Sequence, residues 1–486
     1  MSMWGVELAT PADAGAPRRL AGVAWPFTRL AGLYLAVTLG IGLILIVLVP
    51  PFQVPDEPQH FERAYELSQG QLWSTVEGGH AGAYLPSGVV DFIDCFPSRR
   101  PDGGPRPAVF EPGCTRASLS NRGGRPVFAR FEGSAFYSPV AYTPQVLGIW
   151  LGKFLGAGVY KQLLASRLLN LLASALIVFL ALDLAPAVSP LVLAVALLPM
   201  SLFEMASASP DALTIASSLF FFAAAVRASE RGSWSVRGGA AACLCAVCFL
   251  SLKPVYAPLL LLPIALTICS REKRGRVGRV SAVIACGAAA SALLWLRSSA
   301  SAFKLHIPDV DPARQAHLLL SHVSSIPELI ARTLVQNGGA YIESLFGVLG
   351  WWNIFLPGLV YICCATACLS AALLVAHAHD RTAKWVHSCF ALAIVVFTFL
   401  LILLAMYLIW SKVGASIISG VQGRYLLPLA PIFLLAVSYT SPAMSAAFRR
   451  RVGHVFVVTV LAPALAMVAY LTLIYGSGGL DLLPLG

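Results

Sequence analysis

Residues 33–50 read "LYLAVTLGIGLILIVLVP", and the chain continues "PFQVPDEPQHFERAYELSQG" from 51 to 70. The first stretch decides the class of fold. It belongs to an apolar run from about 30 to 49, and roughly 20 residues of helix reach about 30 Å, the thickness of bilayer hydrocarbon. Similar runs recur through the 486 residues, of which 58% are hydrophobic and only 12% charged. That composition excludes a soluble globule and reads as an all-α polytopic membrane protein, because a helix satisfies its own backbone inside lipid. The formal charge of +11 marks topology rather than nucleic-acid binding: Lys and Arg cluster between apolar runs, with no basic stripe interleaved with aromatics.

Arg18, Arg19 and Arg29 precede the first run, which exceeds a signal-peptide core in length and lacks a small-x-small cleavage site. It reads as an uncleaved first span behind a cytoplasmic N-terminal segment, 1–29, with 30–486 as a single transmembrane domain. The positive-inside rule puts Arg227/Arg231/Arg237, Arg271/Lys273/Arg274/Arg276/Arg279, Arg381/Lys384 and Arg449/Arg450/Arg451 in the cytoplasm. Spans between these clusters then come in pairs: 238–252 with 255–270, 280–298 with 352–377, and 384–410 with 424–441. A last span, 453–476, leaves the C-terminus outside. Before Arg227 five apolar segments must make an even number of crossings. Residues 138–157, which hold Pro139, Pro144, several glycines and Lys153, read as a partly inserted interfacial helix. The sum is about eleven spans, within roughly ten to thirteen.

This topology gathers most of the polar chemistry on the extracytoplasmic side. A large first loop, 51–137, carries interfacial helices; a second is 299–351; and the turns holding Asp211, Lys253 and "QGRY" (Gln422 to Tyr425) join them. The cytoplasmic loops are short and carry no nucleotide fingerprint, "GIWLGK" being one residue short of a phosphate loop. All cysteines except Cys95 and Cys114 lie in or beside apolar runs, where a thiol acts as a small hydrophobe. Cys95 and Cys114 share the first loop and are expected to form a disulfide in an oxidising compartment. Cys243, Cys245 and Cys248 lack a His or other polar partner in their span, so core packing is favoured over a metal.

Within "VPDEPQHFERAYELSQG", Pro58 suits a first helical position, Glu57 the N-cap and Gly70 the stop. Phe61, Ala64, Tyr65 and Ser68 fall on one face, which predicts a short helix lying on the membrane surface. On that geometry Glu62 and Glu66 are solvated, with Arg63 pairing to Glu66 across one turn. Asp56 and Glu57 have two readings. They complement a helix N-terminus, or they are a functional pair, since ionisable groups within a few residues of hydrocarbon are costly without water or partners.

"PDEPQHFERAYELSQGQLW" directly after the first span resembles the acidic first-loop motif of the GT-C superfamily, multi-span glycosyltransferases that use lipid-phosphate-linked sugars. "SPVAYTPQVLGIWLGKFLG", "ASRLLNLLASALIVFLAL" and "LPMSLFEMASASPDALTIASSLFFFAAAVRA" follow in the expected order. "LFGVLGWWNIFLP" and "SGVQGRYLLPLAPIFLL" more narrowly resemble a family of predicted bacterial membrane proteins of unknown function, itself similar to GT-C enzymes. The likeness is scattered over most of 30–441. Pro58 after the acidic pair leaves open whether Asp56 or Glu57 is the catalytic carboxylate.

The resemblance implies a bacterial cytoplasmic-membrane glycosyltransferase. It would move a sugar from a polyprenyl-phosphate donor to an extracytoplasmic glycan or lipid acceptor, with inversion. The phosphate is already a leaving group, so the site needs a base, Asp56, for the acceptor hydroxyl and cations for the departing phosphate. Arg63, Lys253 and Arg424 are candidate phosphate partners, against snorkelling to headgroups as the bland alternative. His60, Tyr142, Asp211, Gln422 and Tyr425 are candidates for binding substrate, although Asp211 also suits a helix cap and interfacial aromatics also anchor in membranes. Glu204, near the end of an apolar run, is a further ionisable candidate. No metal ligands are assigned, and a divalent cation stays open because some GT-C enzymes hold one near the acidic motif. The alternatives are a secondary transporter or flippase of lipid-linked glycan, for which no internal repeat is visible, and a non-catalytic glycan-binding subunit.

Overall fold

The computed structural model describes residues 27–96, 123–302, 309–375, 381–442 and 444–476. Among them are seventeen α-helices and two small antiparallel sheets. Helix α1 (Phe27–Leu48) leads into α2 (Glu57–Ser68), strands β1 (Thr75–Glu77) and β2 (His80–Pro86), helix α3 (Ser87–Asp94) and strand β3 (Pro126–Arg130). Helices α4 (Thr143–Phe154), α5 (Val159–Leu184), α6 (Ser189–Ala196), α7 (Pro199–Met205), α8 (Asp211–Arg231) and α9 (Val236–Leu252) follow. A 3-10 segment, Pro254–Leu261, runs into α10 (Leu262–Ala265), then come α11 (Arg271–Ser298), α12 (Pro312–Ser321) and α13 (Ile326–Gly347). The hairpin β4 (Val348–Leu349) and β5 (Ile354–Phe355) precedes α14 (Gly358–Leu374) and α15 (Arg381–Ile409). A 3-10 turn, Gly423–Leu426, and helices α16 (Ala430–Thr440) and α17 (Ala446–Tyr475) complete the order.

Six helices, α1, α5, α8, α11, α15 and α17, are long and apolar enough to cross a membrane. Two bent pairs pass the same test together: α6 with α7, bent by 79° where Pro199 starts a new helix, and α12 with α13, bent by 92°. Among the described residues the candidate spans therefore number six to eight. Four stretches counted as spans in the sequence correspond to shorter apolar helices of 10–17 residues. Helix α4 has 12 residues, about 18 Å of helix and short of the hydrocarbon thickness. The second expected loop carries α12 and α13.

Among the described residues there are two main hydrophobic cores, beside a small third cluster of Ala141, Leu213, Cys248 and Leu252. The larger lies among the long helices; the smaller gathers Phe52, Phe61, Tyr65, Phe92, Phe131 and Ile149 around α2. Gly78 and Gly79, at φ 57° and 87°, turn β1 into β2 as a two-residue hairpin. Gly82 lets β2 approach β3, since a Cβ there would lie 1.9 Å from the Ala129 carbonyl oxygen.

This second core corrects the surface-helix expectation. Helix α2 starts at Glu57 and ends before Gly70 as the sequence indicates, yet its residues from His60 to Ser68 are all buried, Glu62 and Glu66 included. Residues 72–74 and 133–137 cover the face assigned to water, holding Gln59, Arg63 and Glu66, while α4 packs on the opposite face at Tyr65 and Ser68. Glu66 sustains burial through Arg63 and Ser74. For Glu62, burial and the neighbouring Asp94 and Glu132 push its carboxyl well above the usual range. Cys95, at the end of α3, is disulfide-bonded, and Cys114 lies outside the described residues.

Candidate functional site

The acidic pair at the start of α2 divides into two unlike carboxylates. Glu57 is fully buried and accepts four hydrogen bonds. Arg167 of α5 donates Nε to Oε1 at 2.8 Å and Nη2 to Oε2 at 2.6 Å. The amides of Phe52 and Ala208 donate at 3.0 and 2.9 Å. Arg167 also donates to the carbonyls of Ile46, Val49 and Pro50, groups that the end of α1 leaves without helical partners. The Glu57–Arg167 pair therefore clamps the exit of α1 to α2 and α5, and every acceptor direction of Glu57 is filled. Phe52 is held at φ 63° in this turn, its amide on Glu57 and its carbonyl on the Trp351 indole.

Asp56 is placed differently. It precedes α2 at φ 64°, a left-handed conformation that Asp tolerates, and its side chain makes no cap bond. Its Oδ2 instead accepts from Arg424 Nη2 at 2.5 Å. The Asp56 side chain is 39% exposed while that of Arg424 is 3% exposed, so the pair has an open end and a buried end.

Around Arg424 the cluster closes. Nη1 donates to Glu204 Oε1 at 3.0 Å and to the Pro55 carbonyl at 3.4 Å, and Nε lies 3.4 Å from Asp211 Oδ2. Lys253, just past α9, donates to Asp211 Oδ1 at 2.6 Å and stands 4.2 Å over the Tyr425 ring, which also underlies Arg424 at 5.6 Å. Gly423 permits this placement. A Cβ there would fall 2.1 Å from the Leu345 amide nitrogen of α13, so only glycine lets the 3-10 turn seat against that helix, with its amide donating to Ser344 Oγ at 2.9 Å. The Tyr256 hydroxyl pins the far side of the turn through the Tyr425 carbonyl at 2.9 Å.

An aromatic wall joins α2 to the cluster. His60 Nδ1 and the Tyr142 hydroxyl are 2.8 Å apart, and the His60 ring stacks on Tyr137 at 6.0 Å between centroids. Burial lowers the His60 pKa to about 4; Asp56 and Asp211 oppose that shift, while Arg424 and Lys253 reinforce it. His60 is therefore a neutral imidazole at neutral pH. Burial likewise raises the Tyr137 and Tyr142 hydroxyls, keeping both protonated.

Of the residues expected from sequence, Asp56, Asp211, Lys253, Arg424 and Tyr425 come together in one cluster with Glu204, and His60 and Tyr142 form its flank. Gln422 immediately precedes the Arg424 turn, with a buried Oε1 that makes no hydrogen bond. Arg63 lies elsewhere. It is fully buried, paired with Glu66 and donating through its two Nη atoms to Ser74, the Leu72 carbonyl and the Tyr137 carbonyl, with Nε alone left without a hydrogen-bond partner. Asp211 is not a cap: it is the first residue of α8, Pro210 holds the cap position, and its carboxylate faces cations. Among the described residues no group of three or more His, Cys, Asp or Glu is arranged to hold a metal ion. The cation between Asp56, Glu204 and Asp211 is the Arg424 guanidinium.

Sequence reading missed Arg167 and Tyr256. Arg167 left a signal, a lone charge inside the apolar run "ASRLLNLLASALIV", which demands a buried partner. A family of predicted membrane proteins, DUF2142, matches residues 39–433, and the chain belongs to that family. No curated protein and no solved structure matches the chain. The matched region includes every member of the cluster, from Asp56 to Tyr425.

Proposed function

We propose that the protein is a GT-C-like glycosyltransferase of a bacterial cytoplasmic membrane, with the Arg424 cluster facing the extracytoplasmic side. It moves a sugar from a polyprenyl-phosphate donor to a glycan or lipid acceptor. The observation that carries this reading is the half-exposed Asp56 carboxylate on the buried Arg424, at the exit of the first apolar helix. A base for an acceptor hydroxyl and a cation for a departing phosphate are thereby adjacent. Asp56 takes the hydroxyl proton, the acceptor oxygen bonds to the anomeric carbon, and the bond from that carbon to the phosphate oxygen breaks in the same displacement. The phosphate leaves with the electron pair, stabilised by Arg424 and Lys253. Glu57 has no part in the chemistry, because Arg167 and two amides occupy it.

A second reading, a secondary transporter or flippase of lipid-linked glycan, draws support from the two bent apolar helix pairs, one ending beside Glu204 and the other packed against the Arg424 turn. Purified protein in proteoliposomes separates the two. With radiolabelled polyprenyl-phosphate sugar in the bilayer, a transferase moves label from the donor to a glycan acceptor, whereas a flippase changes only the leaflet in which intact donor resides. Label that changes leaflet and never leaves the donor would overturn the transferase reading.

A further inference from the structure

Five charged side chains meet in the cluster, and their account is uneven. Arg424 and Lys253 balance Glu204 and Asp211, all four with side chains at or below 16% exposed. Asp56 is the fifth charge and the surplus one. It is also the most exposed of the five, at 39%. Arg424 presents three edges: Nη1 faces Glu204 and Nε faces Asp211, both behind it, while Nη2 faces Asp56. An anion arriving from outside therefore meets Arg424 only where Asp56 now sits.

We propose that Asp56 is a resident anion that the phosphate of a prenyl-phosphate donor displaces from Arg424, so that donor binding frees the base. This rests on the transferase reading above. A prenyl-phosphate sugar is a phosphodiester carrying one negative charge, so the exchange replaces one carboxylate charge by one phosphate charge and leaves the balance of the buried four untouched. Guanidinium accepts either oxyanion in the same geometry. Asp56 is suited to the move: it stands just outside the first turn of α2 in a left-handed conformation without a cap bond, and Arg424 is its side chain's single hydrogen-bond partner among the described residues. Freed, both carboxylate oxygens can accept the acceptor's proton, which later passes to water. The order of events follows: donor first, acceptor second, with no competent base before the donor is seated.

The exchange makes Asp56 a direct competitor of the ligand for Nη2 of Arg424, whereas a carboxylate that merely stands nearby weakens anion binding by charge repulsion that salt screens. The tightening on removing Asp56 should therefore persist when the measurement is repeated at high salt. The test is equilibrium binding of farnesyl methyl phosphate, a singly charged prenyl phosphodiester, to full-length protein in neutral detergent at fixed ionic strength. Asp56→Asn and Asp56→Ala should each bind it about tenfold more tightly than the wild type, and Arg424→Ala should lose binding. Melting temperatures of all variants confirm that folded protein is compared. Inorganic phosphate as the probe separates a headgroup held with its lipid from a free anion; equal tightening with both supports the exchange and assigns recognition to the anion alone. Unchanged or weaker binding by folded Asp56→Asn and Asp56→Ala overturns the exchange, even if sugar transfer is found. Tighter binding without sugar transfer by the wild type leaves the exchange standing and overturns the transferase reading instead.

Discussion

Replacing Glu57 by Gln separates a structural carboxylate from a catalytic one. Glu57 and Arg167 have side chains 0% and 1% exposed, so neither charge is relieved by water. Gln keeps the size and one acceptor oxygen, but its NH2 group faces donors: Arg167 and one of the two amides now bonded to the carboxylate. Breaking a buried ion pair by removing one partner costs about 3–5 kcal/mol, because the remaining charge stays buried. Here Arg167 retains the carbonyls of Ile46, Val49 and Pro50, which favours the lower end, about 3 kcal/mol. Arg167→Met should cost a similar amount, since it orphans both the carboxylate and the α1 carbonyls. The double variant Glu57→Gln/Arg167→Met should cost clearly less than the two single changes added, as two partners of one interaction do. Equilibrium unfolding of the purified protein in detergent, together with melting temperatures, measures all four. If Glu57→Gln were as stable as the wild type within about 0.5 kcal/mol and the double variant simply additive, the clamp would be refuted and a chemical role for Glu57 restored.

Gly423→Ala would set a Cβ against the α13 backbone at 2.1 Å, so it should lower stability by about 1–3 kcal/mol and weaken donor binding by shifting Arg424, both read by melting curves and equilibrium binding. The His60 pKa of about 4 in the fold lies below its ordinary value near 6.5, so the unfolded chain binds the extra proton first. Its stabilising contribution is complete above about pH 6.5 and is lost as pH falls toward 4; pH-dependent melting should show this loss, and His60→Gln should flatten it. In a background without the exposed Cys269, Cys286 and Cys389, cysteines placed at the exposed Gln71 and Ser416 should both react with an impermeant thiol reagent in intact cells. Labelling at only one would contradict the proposed common side.

The membrane class was legible because a run such as 30–49 admits few other fates, and α2 was legible from Pro58 and Gly70. What surrounds α2 was not. "TVEGGHAGAYLP" carries a Gly-Gly hairpin signal, yet a three-stranded sheet exists only because distant Pro126–Arg130 returns to pair with β2. Without that return and the cover of residues 72–74 and 133–137, Glu62, Arg63 and Glu66 read as a wet face. The split between Asp56 and Glu57 was equally hidden, since it depends on which cation each meets: Arg167, 110 positions from Glu57, or Arg424, 368 positions from Asp56. Residue type and proximity to hydrocarbon drew Asp211, Lys253 and Arg424 to attention one by one, and tertiary packing alone joins them.

Sugar transfer by wild type and Asp56→Asn, side by side, addresses the central claim. Purified enzyme would be given radiolabelled polyprenyl-phosphate sugars and extracytoplasmic glycan or lipid acceptors, with label in product counted over time. The wild type should transfer label. Asp56→Asn, which keeps shape and removes the proton acceptor, should transfer it about two to four orders of magnitude more slowly while remaining folded. Transfer by Asp56→Asn at near the wild-type rate, or none by the wild type from any donor, would contradict the account.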